Sequence, residues 1–184
     1  MRWLILLGVG LMSAVAVART VEGVNLPETI SLEGRELVLN GAGVREKFFF
    51  DIYVAALYLP ARNRDARAIL AADQPWRMSM DFLYSEVDRE KLDKGWDEGF
   101  EANVPPEGLA ALRERLQTFK NMFSAMHKGD VALMDYTPGK GVRVTIKGED
   151  KGVIPGADFA RALLSVWIGE KPVTGSVKKA LLGG

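Results

Sequence analysis

"GAGVREKFFFDIYVAALYLP", residues 41–60, is the stretch on which the reading of this chain turns. Gly41 and Gly43 have the look of a turn before Arg45. Phe48, Phe49, Phe50, Ile52, Val54, Ala55, Ala56, Leu57 and Leu59 then have the composition of a strand buried on both faces. Asp51, Tyr53 and Tyr58 interrupt that run. A guanidinium does not shed its proton, so a buried one needs an acceptor, and leaving it bare is expensive. Two readings stay open at this point. In one, Arg45 lies at a strand end, faces water or pairs with Glu46 or Asp51, and Tyr53 is core with its hydroxyl satisfied. In the other, Arg45 and Tyr53 mark an anion or carbonyl site at the mouth of an apolar cleft. Alternation puts Asp51, Tyr53, Ala55 and Leu57 on one face without saying which face looks into a cleft.

Outward from this stretch the chain alternates in character. Upstream, "TVEGVNLP", "TISLEG" and "RELVLNG" are short strands broken by Gly and Pro. Downstream, "RNRDARAILAADQP" is a short helix ended by Pro75. In "WRMSMDFLY", Trp76, Met78, Met80, Phe82 and Tyr84 share one face, and Arg77, Ser79 and Asp81 the other. "SEVDREKLDKGWDEGFEAN" predicts a helix capped by Ser85, with Leu92, Trp96 and Phe100 four apart. Gly95 and Gly99 weaken it by up to roughly 1 kcal/mol each relative to Ala, unless they admit another backbone. A second helix carries Leu109, Leu112, Leu116, Phe119, Phe123 and Met126 in one stripe. Strands return in "DVALMDYT", a "PGKG" turn, "GVRVTIKG", an "EDKG" turn and "VIPG". The helices "ADFARALLSVWIGE" and "GSVKKALLG" close the chain. This order predicts a single α+β domain over residues 19–184, an antiparallel sheet with helices packed on one face.

Residues 1–18, "MRWLILLGVGLMSAVAVA", have an early cation, an uncharged apolar run and an Ala-x-Ala end, the layout of a cleavable secretory signal. The expected location is therefore periplasmic or secreted. The apolar run is short against the roughly 20 residues a helical span needs, so no stable membrane span is expected after cleavage. Charge is balanced at 24 basic against 24 acidic residues, with no basic field of the kind nucleic acid or an anionic membrane requires. With no cysteine there are no disulfides, thiolate metal sites or cysteine nucleophiles, and one histidine, His127, cannot supply an imidazole cluster. No metal and no cofactor are expected. Phosphate-loop, nucleophile-elbow and zinc-protease motifs are absent. Ser176 and Lys179 spell S-x-x-K, which reads as ordinary helix-start chemistry, and His127 reads as a cation at a helix C-terminus. Lys94 and Glu98, four apart, read as a solvated helix pair.

"LNGAGVR" followed by "DIYVAALYL", and "ALLSVWIGEKPVTGSVKKALLG" near the end, resemble the chalcone isomerase superfamily over about Leu37 to Leu182. That family includes plant chalcone isomerases, plastid fatty-acid-binding proteins and bacterial homologues with secretion signals. The resemblance implies an open-faced β-sandwich, a large antiparallel sheet with a layer of helices on one face. It also implies that Arg45 falls on the family arginine, which holds a flavonoid in the isomerases and a carboxylate in the fatty-acid binders. Tyr53 falls where the fatty-acid binders have a tyrosine and the isomerases a threonine. Lys91, Lys94 and Glu98 fall on the isomerase Tyr, Lys and Asn, and Val166 on a threonine, so of those four positions only the lysine is kept. What the resemblance implies is thus an exported protein that binds a small apolar acid, such as a fatty acid. Arg45, Tyr53, Lys91, Lys94, Glu98 and Val166 would line its site. The alternative is an intramolecular lyase acting on a flavonoid-like enone, with Arg45, Tyr53 and Lys94 as its catalytic groups.

Overall fold

The computed structural model describes residues 18–184; the expected signal, apart from Ala18, lies outside them. The strands are β1 Ala18–Val21, β2 Val24–Pro27, β3 Thr29–Leu32, β4 Arg35–Lys47, β5 Phe50–Leu59, β6 Trp76–Phe82, β7 Glu86–Val87, β8 Met126–His127, β9 Val131–Thr137, β10 Gly141–Ile146 and β11 Glu149–Ile154. The helices are α1 Ala66–Ala71, α2 Arg89–Asn103, α3 Pro106–Asn121, α4 Ala157–Ile168 and α5 Gly175–Leu181. Seven strands form one sheet in the order β11-β10-β9-β6-β5-β4-β3, and every pairing in it is antiparallel. The alternation of β6 reads out as expected: Trp76, Met78, Met80 and Phe82 all join the core beneath the helices.

That core holds Tyr53, Ala55, Leu57 and Leu59 from β5 with Trp96 and Phe100 of α2, Phe119 of α3 and Phe159, Leu163, Val166 and Trp167 of α4. The other face of β5 contributes Val54, Ala56 and Tyr58 to a smaller cluster with Leu26, Leu32, Leu37 and Leu39. The fold is therefore α+β, a large antiparallel sheet with its helices on one face, as expected, and the N-terminal strands cover part of the other. This is why β5 is apolar on both sides from Tyr53 to Leu59.

The opening stretch differs from its sequence reading in one decisive way. Residues 41–45 are strand, and the turn falls at Phe48 and Phe49. The two glycines serve close packing instead of a turn. A Cβ on Gly41 would lie 2.1 Å from the Ala180 carbonyl oxygen, and one on Gly43 would lie 2.5 Å from the Ala180 Cβ. They are the notch in β4 that seats α5. Phe48 and Phe49 are accordingly exposed at a hairpin tip and Phe50 is half-exposed, so the three do not belong to the buried strand.

Smaller corrections share a local cause. Asp88, not Ser85, caps α2, accepting from the Lys91 amide at 2.8 Å. The apolar stripe of the next helix outruns the helix itself, since α3 ends at Asn121, while Phe123 and Met126 stay buried beyond it. His127 therefore sits in β8 and not at a helix end. "EDKG" is the start of β11, and the turn before it is made by Lys147 and Gly148, both at positive φ. Thr174, not Ser176, caps α5.

Candidate functional site

A cavity of about 710 Å³ opens between the end of the β4–β5 hairpin, β6 and α2. Its size suits a drug-sized apolar molecule. Met80, Phe82, Val87, Leu92, Trp96 and Val166 give it an apolar wall. All six residues singled out from sequence, Arg45, Tyr53, Lys91, Lys94, Glu98 and Val166, line it as well.

Arg45 and Tyr53 face each other across β4 and β5. The register then shifts, because Glu46 pairs with Asp51 and leaves Ile52 without a partner on β4. Such a bulge re-aims side chains at a sheet margin. Here it brings Ile52 and its neighbour Tyr53 to the same cavity, and it breaks the alternation that placed Asp51 with Tyr53. Asp51 is exposed and outside the lining.

Arg45, Tyr53 and Trp96 each bring a hydrogen-bond donor to this lining. Arg45 gives one N–H of Nη1 to the main-chain oxygen of Glu46, while its Nε–H is buried without an acceptor among the described residues. Pairing of Arg45 with the carboxylate of Glu46 or Asp51, one of the readings the sequence left open, is not what this hydrogen bond shows. The Tyr53 hydroxyl accepts from the Trp167 indole N–H at 3.1 Å. Burial pushes the Tyr53 pKa up, and the Trp167 hydrogen bond and the Arg45 charge oppose that rise. The group is a phenol at neutral pH, with its own proton free to donate. The indole N–H of Trp96 is likewise buried without an acceptor among the described residues. Leaving such donors bare is costly, and an acceptor such as a carboxylate or carbonyl oxygen answers it.

Lys91, Lys94 and Glu98 stand at the outer margin. Lys91 is bonded to Asp88 at 2.6 Å, which raises its pKa. Lys94, 75% exposed, lies 3.7 Å from Glu98, the solvated pair that their spacing suggests. Val166 is buried on α4 and explains Gly99 of α2: a Cβ there would meet its methyls at 2.9 and 3.0 Å. Gly95 is different, for a Cβ there would meet nothing within 4 Å.

Sequence reasoning missed two kinds of residue here. Trp96 was visible only as one member of an apolar stripe, and nothing in a stripe marks an unpaired indole N–H. Lys171, Pro172 and Val173 also line the cavity, within the same "IGEKPV" segment that carries the family resemblance.

Three comparisons place this arrangement. The structure of an Arabidopsis thaliana fatty-acid binding protein is similar at a TM-score of 0.70 and 18% identity, over 91% of this chain and 95% of that one. At that identity the likeness speaks for the fold. No curated protein matches the chain. A family model described as chalcone isomerase-like matches residues 18–183, all but one of the residues whose structure is given above. Fold, residue order and sequence thus agree, and the chain belongs to the chalcone isomerase-like family.

Proposed function

We propose that this is an exported protein that binds a small apolar acid, such as a fatty acid, in the cleft beneath the β4–β5 hairpin. One observation carries the reading: an apolar cavity of about 710 Å³ whose wall holds Arg45 and Tyr53 side by side as hydrogen-bond donors. A carboxylate accepts from both, and the rest of the ligand takes the apolar wall. Each methylene buried contributes about 0.8 kcal/mol, so a ten-carbon chain gives roughly 8 kcal/mol before ordering costs. The Arg45 contact then orients the acid more than it holds it. The solved neighbour's name, a fatty-acid binding protein, is in keeping with this chemistry. Export is supported by the leader-like residues 1–18.

Native mass spectrometry of protein made with its leader in a periplasm-bearing host tests both parts. The expected result is a chain beginning at Arg19 that carries an acyl chain with a free carboxyl group. An intact Met1 on soluble cytosolic protein overturns export. An empty cleft that gains no mass with added fatty acid, together with turnover of a chalcone above the spontaneous rate, overturns binding in favour of the isomerase reading.

A further inference from the structure

The β4–β5 hairpin carries its most apolar side chains where folding has least use for them. Phe48 is 84% exposed, Phe49 99% and Phe50 53%, and they are consecutive. A single exposed Phe is ordinary, but three at one tip form a projecting apolar knob. The turn chemistry is wrong for a hairpin as well. Phe48 has a φ of +58° in a two-residue loop, a position that favours Gly, Asn or Asp. An edge-on contact with Tyr84, ring centroids 5.3 Å apart, holds Phe50 and steadies the knob.

Charge around the knob is uneven. The chain as a whole is neutral. At the cavity beside the knob, however, Arg45, Lys47, Lys91, Lys94 and Lys171 outnumber Glu86 and Glu98. Lys91 and Lys94 are partly neutralised by Asp88 and Glu98, while the carboxylates of Glu46 and Asp51, opposite each other in the hairpin register, lie outside the cavity lining. The cationic side is therefore the side on which the cleft opens, and Phe48 and Phe50 line that opening.

We infer that the hairpin tip, Lys47 to Phe50, docks the protein on an anionic lipid bilayer, with the phenylalanines entering the headgroup region and the cleft mouth facing the lipid. A knob of three rings that follows Lys47 and adjoins a cavity lined by Arg45, Lys91, Lys94 and Lys171 fits the interface of a bilayer, where aromatic rings and cations are both favoured. A protein partner would need a broader surface than one hairpin tip offers. Docking rests on the tip and its charges alone; the purpose it serves, exchange of an apolar acid between bilayer and cleft, rests on the function proposed above.

Flotation of the leader-free protein with vesicles tests this. The probes are phosphatidylcholine vesicles with and without phosphatidylglycerol. Wild type is expected to float with the anionic vesicles, less so at high salt, and Phe49→Ser to bind them about tenfold more weakly. Phe49 lies outside the cavity lining, so Phe49→Ser keeps the wild-type melting temperature and its affinity for free fatty acid in lipid-free buffer. In Phe49→Trp, the new indole emission shifts to the blue on adding anionic vesicles. Wild type that stays with the lipid-free fraction, or Phe49→Ser that floats like wild type, overturns the inference. So does a tip-dependent dimer in sedimentation velocity without vesicle binding, which identifies a second copy as the occupant. Vesicle binding without any fatty-acid binding upholds the docking and sinks the proposed function instead.

Discussion

Trp167 of α4 gives its indole N–H to the Tyr53 hydroxyl of β5 at 3.1 Å, a bond from the helical layer to the sheet in the floor of the cleft. The bond occupies a lone pair of the tyrosine oxygen and leaves its O–H directed elsewhere. Arg45 stands across the strand pair from it. The fold thus holds a phenol and a guanidinium together and leaves the phenol's proton free to donate, the arrangement on which the proposed binding of an acid rests.

Removing that oxygen should therefore cost stability as well as binding. In Tyr53→Phe the Trp167 N–H is left buried without a partner, and the penalty expected is about 1–3 kcal/mol. Urea denaturation of the ligand-free protein measures it. An unchanged midpoint would mean that the indole finds another acceptor and that the Trp167 bond contributes nothing.

The two glycines of α2 should respond in opposite directions to the same substitution. Gly95→Ala puts a methyl into open space, so the gain in helix propensity shows, about 0.5–1 kcal/mol of added stability. Gly99→Ala drives a methyl into Val166, 2.9 Å away, and should lose about 1–3 kcal/mol to overpacking. Thermal or chemical denaturation of the pair decides it, and equal effects would refute the close approach of α2 and α4.

How much of this was legible in the sequence follows from which residues do one job. The alternation of β6, the helix of residues 157–168 and the two-sided burial of Val54 to Leu59 were legible because period and composition report burial directly. Gly41 and Gly43 misled, since a glycine that admits a helix looks the same as a glycine that makes a turn. The phenylalanines at 48 to 50 misled for a related reason: apolar residues read as buried until the turn is located. Arg45 and Tyr53 could be singled out as a polar pair beside an apolar run. The bulge at Ile52 that brings them to the cavity, and the indoles of Trp96 and Trp167, depend on contacts between distant segments and leave no local trace.

The link between α3 and α4 should be pH-dependent. Arg115 grips Asp158 through two hydrogen bonds of 2.6 and 2.7 Å, which lowers the Asp158 pKa to about 2. A carboxylate whose folded pKa lies below its unfolded value, about 3.9, stabilises the fold above that value and loses the effect as pH falls through 2. Asp158 is 61% exposed, so solvent screening reduces the expected contribution to about 0.5–1 kcal/mol. Asp158→Asn should be destabilised by that amount at pH 7 and converge on wild type near pH 2. A constant difference across the range would assign the loss to packing.

The Arg45–Tyr53 pair makes the sharpest claim on ligand chemistry. If both hold one carboxylate, Arg45→Gln should weaken fatty-acid binding by about 1.5–3 kcal/mol, as for a hydrogen bond to a charged group. Tyr53→Phe should weaken it by about 0.5–1.5 kcal/mol, as for a neutral one. The double mutant should lose less than the sum, since the two groups share an acceptor. The methyl ester separates charge from shape. It should bind wild type more weakly than the acid does, and Arg45→Gln almost as well as the acid does, because the ester offers no charge to the guanidinium. An Arg45 that serves the fold through its bond to the Glu46 carbonyl behaves otherwise: Arg45→Gln then lowers the melting temperature and leaves the acid-to-ester preference intact. Titration calorimetry with acid and ester on wild type and the variants, beside a thermal melt of each, distinguishes the two roles. A preference for acid over ester that survives in Arg45→Gln removes Arg45 from the head-group site.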